Sequence, residues 1–229
     1  MSGAPQDDPW TLPAAPGGPG DRGLGPPPGE RPPPAPVRLR PVRALGTAAL
    51  AVAAVVTLGE GFAALTAPGY DAARFPSTYD VATGLTGLAW VVSFVVTCLW
   101  LGRARRNAEE LSPAHHHVRG RAWVWWGWLV PVVSFWFPYQ VVRDTAGASA
   151  AGSPGRAAPR PPLAVWWATW LAGHVLANAA SQVTAPFTGA GFPTAGAVLH
   201  LLAFAACAVS LLAWARVVRA VVALQEDAG

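Results

Sequence analysis

Four long apolar runs constrain this chain more than any other feature. They cover residues 44–66, 81–102, 163–184 and 197–218. At about 1.5 Å of rise per residue, a helix of this length crosses a hydrocarbon core about 30 Å thick. The two connectors, residues 67–80 and 185–196, are short and rich in proline and glycine, so each pair of runs predicts an antiparallel hairpin. The expected fold is an all-α integral membrane protein with four transmembrane helices in two hairpins.

The charged residues agree with a membrane location. Only 12% of the residues are charged and 52% are hydrophobic. The basic residues are all arginines and flank the apolar runs, which is typical of membrane proteins and argues against nucleic acid as a partner despite the net charge of +4. Cys98 and Cys207 both lie inside apolar runs, which predicts small buried side chains and no disulfide.

Residues 1–43 differ sharply from the membrane domain predicted for residues 44–225. They contain thirteen prolines and few aliphatic residues, so they cannot bury enough apolar surface to offset their ordering entropy. We interpret them as a disordered cytoplasmic tail. Its stretch PPPGERPPPAP can present a polyproline II helix to a cytoplasmic protein partner, although a solvated spacer is the favoured interpretation.

A tryptophan-rich segment between the two hairpins decides the threading. Residues 121–144, RAWVWWGWLVPVVSFWFPYQVVRD, hold five of the twelve tryptophans. If residues 122–142 span the membrane, ten arginines lie inside and six outside; if they turn back, fifteen lie inside and only Arg74 lies outside. The positive-inside bias favours the second threading. Both termini are then cytoplasmic, in a multi-pass protein of the plasma membrane.

Two prolines are expected to interrupt a helix in this segment. Pro131 and Pro138 each remove a backbone donor, which is tolerated at membrane depth only against protein or water. The segment is therefore predicted as a re-entrant or interfacial helix. A proline-kinked fifth span is the alternative.

The stem that follows the second run carries charged residues at helical spacing. Arg105 and Glu109 stand four apart, as do Arg106 and Glu110, so both pairs can form on one helix. Arg103, Arg106 and Asn107 share another face, and we expect them to bind two polar residues that follow the tryptophans, Gln140 and Asp144. Arginines that contact the phosphates of anionic lipid headgroups are the alternative.

Few ionisable residues fall inside the apolar runs, and these are functional candidates. Glu60 and His200 lie at similar depth near the outer ends of their helices and are predicted to pair. His174, Asn178 and Gln182 recur every four residues and form a polar stripe on the third helix. Hydrogen bonds that join helices are the favoured role of this stripe, and a path for a proton or small solute is the alternative.

No pattern of residues indicates an enzyme. The consecutive histidines 115–117 cannot converge on one metal ion from regular structure, and no other ligand stands at suitable spacing, so a solvated loop is expected. The sequence contains no nucleophile elbow, zinc-protease helix, phosphate loop or dinucleotide fingerprint. We therefore expect no catalytic residues, no cofactor and no metal.

The middle third of the chain follows a pattern of tryptophan, proline and polar residues. It reads Trp100, Arg103, Arg106 and Asn107, then Trp123, Trp128 to Pro131, Trp136 to Gln140, Asp144, Ala148 and Ser149. This pattern resembles the actinobacterial domain-of-unknown-function 4328 family of multi-pass membrane proteins, over about residues 44–225. Two positions depart from it: residues 121–122 read Arg-Ala instead of Pro-Gly, and residues 146–147 read Ala-Gly instead of Trp-Arg. The resemblance implies a membrane protein and assigns no activity.

The sequence thus predicts a non-catalytic scaffold or regulatory membrane protein with an arginine-rich cytoplasmic face. Its expected partners are the lipid bilayer, anionic headgroups and a cytoplasmic protein that recognises the tail. The alternative is a small transporter or channel component that uses Glu60, His174, Asn178 and Gln182.

Overall fold

The computed structural model describes residues 39–153, 155, 161–186 and 191–226. These residues form α-helices, turns and loops, and contain no strand, which confirms the predicted all-α class. The helices are α1 (Arg43–Thr66), α2 (Thr78–Leu111), α3 (Trp123–Leu129), α4 (Phe137–Ala151), α5 (Leu163–Thr184) and α6 (Pro193–Glu226), with short 3₁₀ turns at Ala67–Gly69 and Val133–Phe135.

Three of the described helices are long and apolar enough to cross a membrane. These are α1, extended through the turn to Gly69, together with α2 and α6. Their large apolar side chains are widely exposed on the outer faces, for example Leu58 at 67% and Leu212 at 63%, which is what a lipid environment favours. The chain is therefore a helical membrane protein. Helix α5 has the predicted bounds but a more polar composition, because it carries three tryptophans, His174 and Asn178.

The four long helices form an open arc in the order α2, α1, α6 and α5. Helix α1 packs against α2 on one side and α6 on the other, and α6 packs along α5. Small residues allow the close approaches: a Cβ atom at Gly46 would lie 2.8 Å from Val218, and one at Gly173 would lie 2.8 Å from Cys207 Sγ. Cys98 and Cys207 are buried free thiols, as predicted. Within the described residues, α2 and α5 at the two ends of the arc do not pack along each other.

Helices α2 and α6 are longer than their apolar runs. Each has 34 residues, or about 51 Å of helix, so each extends well beyond a hydrocarbon core at the same end of the bundle. The extension of α2 agrees with the helical spacing predicted for its stem, whereas the continuation of α6 past residue 218 was not predicted, because hydropathy marks only the part in contact with lipid. The two extensions form the framework on which α4 packs.

The break predicted within residues 122–142 is observed: the tryptophan-rich segment is two short helices, the second of which continues to Ala151. Helix α3 has 7 residues and ends just before Pro131, whereas Pro138 lies in the first turn of α4, where its missing N–H costs nothing. Between them Val132 adopts φ +68°, and Val133 N–H donates to the Pro131 carbonyl in a γ-turn, a strained bend for a β-branched residue.

The two short helices form a hairpin that begins and ends at one end of the bundle. The Trp123 and Phe137 rings meet at 4.5 Å, and the Cys98 thiol donates to the Val124 carbonyl near the start of α3. Just after α4, Gly152 lies directly against Leu111 at the end of α2. Neither α3 nor α4, which has 15 residues, reaches the length of about 20 that a span requires.

The predicted tail, residues 1–43, lies outside the described residues except for its last five. Among those five, Val42 is fully buried, and the backbone of Arg40 is hydrogen bonded to α2. Arg40 and Val42 therefore pack against the helices, although the predicted tail includes them. The proline-rich stretch at residues 26–36 is outside the described residues.

Candidate functional site

A buried network of amide side chains joins four segments at the end of the bundle where α2 and α6 extend. Asn107 is fully buried; its Oδ1 accepts from Arg40 N–H (2.9 Å), and its Nδ2 donates to the Arg40 carbonyl (2.8 Å) and to Gln225 Oε1 (3.1 Å). Gln225 Nε2 donates to the Ala104 carbonyl and to Ser149 Oγ, both at 2.8 Å. The approach to α1 is thereby connected to α2, α4 and α6. We call these contacts the amide network.

A second set of contacts holds the loop of residues 112–122 against α2 and α4. Buried Arg105 donates to Glu109 (2.9 Å) and to the Arg119 carbonyl (2.6 Å). Asp144 Oδ2 accepts from Val118 N–H at 3.0 Å, and Gln140 Oε1 accepts from Arg119 Nε at 2.8 Å. The loop is therefore held in place by side chains of α2 and of α4.

These contacts correct the partners predicted for the stem. Gln140 and Asp144 do anchor the segment, but through the loop and not through Arg103, Arg106 or Asn107. Asn107 belongs to the amide network, Arg103 donates to the Pro41 carbonyl, and Arg106 is exposed. The reason is that the intervening loop, expected to be solvated, packs between α2 and α4. The predicted Arg105–Glu109 pair is confirmed, whereas the ion pairs of the described residues do not include Arg106–Glu110.

Glu109 is the carboxylate that two arginines of this region share. It accepts from buried Arg105 and from exposed Arg121. Burial alone would raise the pKa of its carboxyl group, but the hydrogen bonds from Arg121 and Arg105 outweigh burial, so its pKa lies below the usual value. Glu109 is thus held as a carboxylate at neutral pH.

The consecutive histidines are only partly solvated. The rings of His115 and His117 lie 5.1 Å apart, and both ring nitrogens of His117 are buried with no hydrogen-bond partner among the described residues. Burial lowers the pKa of His117, and the Arg105 charge adds to that effect. In the part of the chain that the structure describes, no three side chains of His, Cys, Asp or Glu are placed to bind a metal ion.

Arginine is distributed very unevenly between the two ends of the bundle. Of the eleven arginines in the described ranges, Arg74 lies in the connector between α1 and α2, and the other ten lie at the end that carries the amide network. Those ten are Arg40, Arg43, Arg103, Arg105, Arg106, Arg119, Arg121, Arg143, Arg216 and Arg219. We call this the arginine-bearing end.

A buried polar group joins three helices near the other end. His200 Nδ1 lies 3.0 Å from Glu60 Oε2, which confirms the predicted pair, and Nε2 lies 3.0 Å from the Tyr79 hydroxyl. All three side chains are at least 95% buried. Tyr79 was not predicted, although its position in the first turn of α2 places it at the depth of the other two. The group packs as an interhelical contact between α1, α2 and α6.

A cavity of about 680 Å³ lies between the long helices. Five tryptophans line it, together with residues from α1, α2, α3, α5 and α6. The tryptophans are Trp90, Trp128, Trp166, Trp170 and Trp214. Its volume is typical of a small-molecule site.

The polar stripe of α5 borders this cavity and does not join helices. His174 Nδ1 pairs with the Trp170 carbonyl (2.9 Å), and Asn178 Nδ2 donates to the His174 carbonyl (2.9 Å), so both bond to their own helix. The predicted helix-joining hydrogen bonds are therefore wrong for these two residues. His174 and Asn178 line the cavity, whereas Gln182 is exposed and is not part of the cavity wall.

Comparison with known protein families decides the identity of the domain. A family model described as a domain of unknown function (DUF4328) matches residues 66–221. The chain belongs to the DUF4328 family. No curated protein and no solved structure matches it.

The polar residues that carried the family resemblance lie at the arginine-bearing end of this DUF4328 protein. Asn107 and Ser149 belong to the amide network, and Gln140 and Asp144 hold the loop. Sequence reasoning missed Gln225, the residue that bridges Asn107 to Ser149. The available signal was its spacing, since Gln225 stands four residues after Val221 and seven after Val218 on the buried face of α6.

Proposed function

We propose that this DUF4328 protein crosses the plasma membrane four times, with its arginine-bearing end in the cytosol. Helix α5 is the fourth span, because it has 22 residues and packs along α6 through its length. The α3–α4 hairpin re-enters from the cytosolic side. The ten-to-one distribution of described arginines supports this orientation.

The function that this geometry favours is a non-catalytic scaffold or regulatory role at the cytosolic surface. The observation that carries it is the amide network, which fixes four segments into one ordered surface and buries no reactive group there. Arg106, Arg216 and Arg219 are exposed at this end and form no ion pair within the described residues. We assign to them the binding of anionic lipid headgroups.

Lipid retention tests this assignment. Each exposed arginine near the surface contributes about 1 kcal/mol toward anionic lipid. Replacement of all three by glutamine is therefore expected to weaken phosphatidylglycerol binding by roughly two orders of magnitude, measured by native mass spectrometry of the protein released from mixed-lipid nanodiscs.

Arg74→Gln is the control for position, because it removes one arginine charge at the opposite end of the bundle. It is expected to leave phosphatidylglycerol retention unchanged. If the wild-type protein and the triple variant retain phosphatidylglycerol equally, the three arginines do not bind anionic headgroups.

A protein partner of the tail is a separate part of the scaffold role. A pull-down with the full chain and with a chain that lacks residues 1–39 tests it, since the backbone of Arg40 is needed for the contacts with Asn107. Capture of the same proteins by both chains would exclude the tail as the binding element.

A small transporter is the second candidate, and one observation favours it: a cavity bordered by His174 and Asn178 lies among the spans. Reconstitution into liposomes should then give a proton or solute flux that His174→Leu abolishes. If the wild-type protein gives no flux under any imposed gradient, the transporter role is lost.

A further inference from the structure

The cavity described above lies beside the seam between α2 and α5, which do not pack along each other within the described residues. Its walls are the middle parts of α1, α2, α5 and α6, and Trp128 and Leu129 of α3 close it toward the arginine-bearing end. Rings bridge α2 and α5: Trp90 lies 4.0 Å from His174 and 6.4 Å from Trp170, measured between ring centroids. In the four-span topology proposed above, on which this inference rests, the medium outside α2 and α5 at this depth is hydrocarbon. We therefore expect a ligand of the cavity to enter from the lipid phase.

Most of the wall is apolar and aromatic, but one side presents hydrogen-bond acceptors. A carbonyl can only accept, so His174 Nδ1 must be the protonated nitrogen that donates to Trp170, and in the neutral imidazole Nε2 is left with a lone pair. Asn178 uses its Nδ2 group on the His174 carbonyl, which leaves Oδ1 as the available acceptor. Two acceptors on successive turns of α5 thus border the same cavity.

The other side of the cavity adds hydroxyl groups. Ser93 and Thr97 of α2 both line it, and neither hydroxyl has a hydrogen-bond partner among the described residues. Hydrocarbon alone would leave these groups and the α5 acceptors unsatisfied, which is costly away from water. Water alone would leave five indole rings facing a polar medium. The lining fits a molecule that is apolar along most of its length and carries a donor at one end.

We propose that this cavity binds a single-chain amphiphile dissolved in the membrane, with a hydroxyl-bearing head that donates to His174 and Asn178 and a hydrocarbon chain against the tryptophans. The volume of about 680 Å³ lies within the range of ligand sites and suits one hydrocarbon chain with a small head. This ligand is independent of headgroup binding at the arginine-bearing end.

Quenching of tryptophan fluorescence tests the proposal. The probe is a monoacylglycerol with two bromine atoms in mid-chain, because bromine quenches indoles that it contacts. The matched probe is the methyl ester of the same brominated fatty acid, which has no hydroxyl group. With the full chain in nanodiscs, quenching by the monoacylglycerol is expected to have a component that saturates as the probe concentration in the membrane rises. Quenching by the ester is expected only to rise linearly with its concentration.

Two substitutions, combined in one variant, remove the acceptors. His174→Phe keeps a ring between Trp90 and Trp170, and Asn178→Leu removes the amide. The double variant should bind the monoacylglycerol about tenfold or more weakly, as expected for lost hydrogen bonds. Gln182→Leu, on the same helix but outside the cavity wall, should change nothing.

Saturable quenching of equal strength by both probes would overturn the proposal, because the cavity would then select hydrocarbon alone. The absence of saturable quenching with both probes would also overturn it. The comparison of the two probes on the wild-type protein does not depend on how well the variants fold.

Discussion

Replacement of Asn107 by leucine tests the amide network most severely. The substitution keeps the branched shape of the side chain, in a larger residue, at a fully buried position and removes three hydrogen bonds. Two of them go to the backbone of Arg40, a residue that is exposed and that water can reach, so each costs about 1 kcal/mol. The third leaves Gln225 Oε1 without its partner at a residue only 1% exposed, which costs about 1–3 kcal/mol.

The expected loss in the free energy of unfolding is therefore about 3–5 kcal/mol. Equilibrium unfolding in mixed micelles, titrated with sodium dodecyl sulfate and followed by tryptophan emission, measures it. Asn178→Leu is the matched control, because this asparagine is exposed and bonds only to its own helix, and its expected change is below about 0.5 kcal/mol.

A double-mutant cycle separates the network from simple loss of packing. Gln225→Leu removes the acceptor that Asn107→Leu leaves unsatisfied, so the two substitutions together should cost about 1–2 kcal/mol less than the sum of the single effects. If the two effects add exactly, or if Asn107→Leu costs no more than Asn178→Leu, Asn107 and Gln225 do not form the contact described above.

Three further substitutions test other parts of the structure. Glu60→Leu leaves the Nδ1 atom of buried His200 without its partner and should lower the free energy of unfolding by about 3 kcal/mol. Glu60→Gln can still hydrogen bond to the ring and should cost clearly less, and equal losses in mixed-micelle unfolding would contradict the pairing. The pKa of His117 lies below 6.5, so the stability that its neutral form contributes is complete above pH 6.5 and is lost as the pH falls toward the lower folded-state value. His117→Phe should therefore remove this pH dependence of the free energy of unfolding from curves measured at several pH values. An unchanged pH dependence would assign it to another group. Gly152→Ala places a Cβ atom 2.6–2.9 Å from the last residue of α2 and should lower the thermal unfolding midpoint by several degrees, whereas Gly120→Ala, which meets nothing within 4 Å, should leave it unchanged.

The long helices and the Glu60–His200 pair were predictable because each depends on local information. A run of about twenty apolar residues has few alternatives to a spanning helix, and two ionisable groups at equal depth have few partners other than each other. The break in the tryptophan-rich segment was also predictable from Pro131, since the missing N–H acts on the nearest turn of the same helix.

The arrangement at the arginine-bearing end was not predictable in detail, because it depends on contacts far apart in sequence. Asn107 bonds to Arg40 and Gln225, which are 67 and 118 positions away, and helical spacing alone cannot select these partners. The loop that binds Asp144 was predicted to be solvated, since its histidines and arginines are polar. The amphiphile cavity likewise requires four helices to be in place before its walls exist.

The side of the membrane reached by the end of α4 tests the central claim most directly. Gly152 is unsuitable for a cysteine because its Cβ would contact Leu111, whereas the neighbouring Ala151 is exposed. Gly69→Cys and Gly120→Cys provide references on the two sides, since both positions are open and lie at opposite ends of α2. In intact cells treated with a membrane-impermeant thiol reagent, we expect Gly69→Cys to be modified, and Ala151→Cys and Gly120→Cys to react only after permeabilisation. Modification of Ala151→Cys in intact cells would show that the tryptophan-rich segment crosses the membrane and would contradict the re-entrant hairpin.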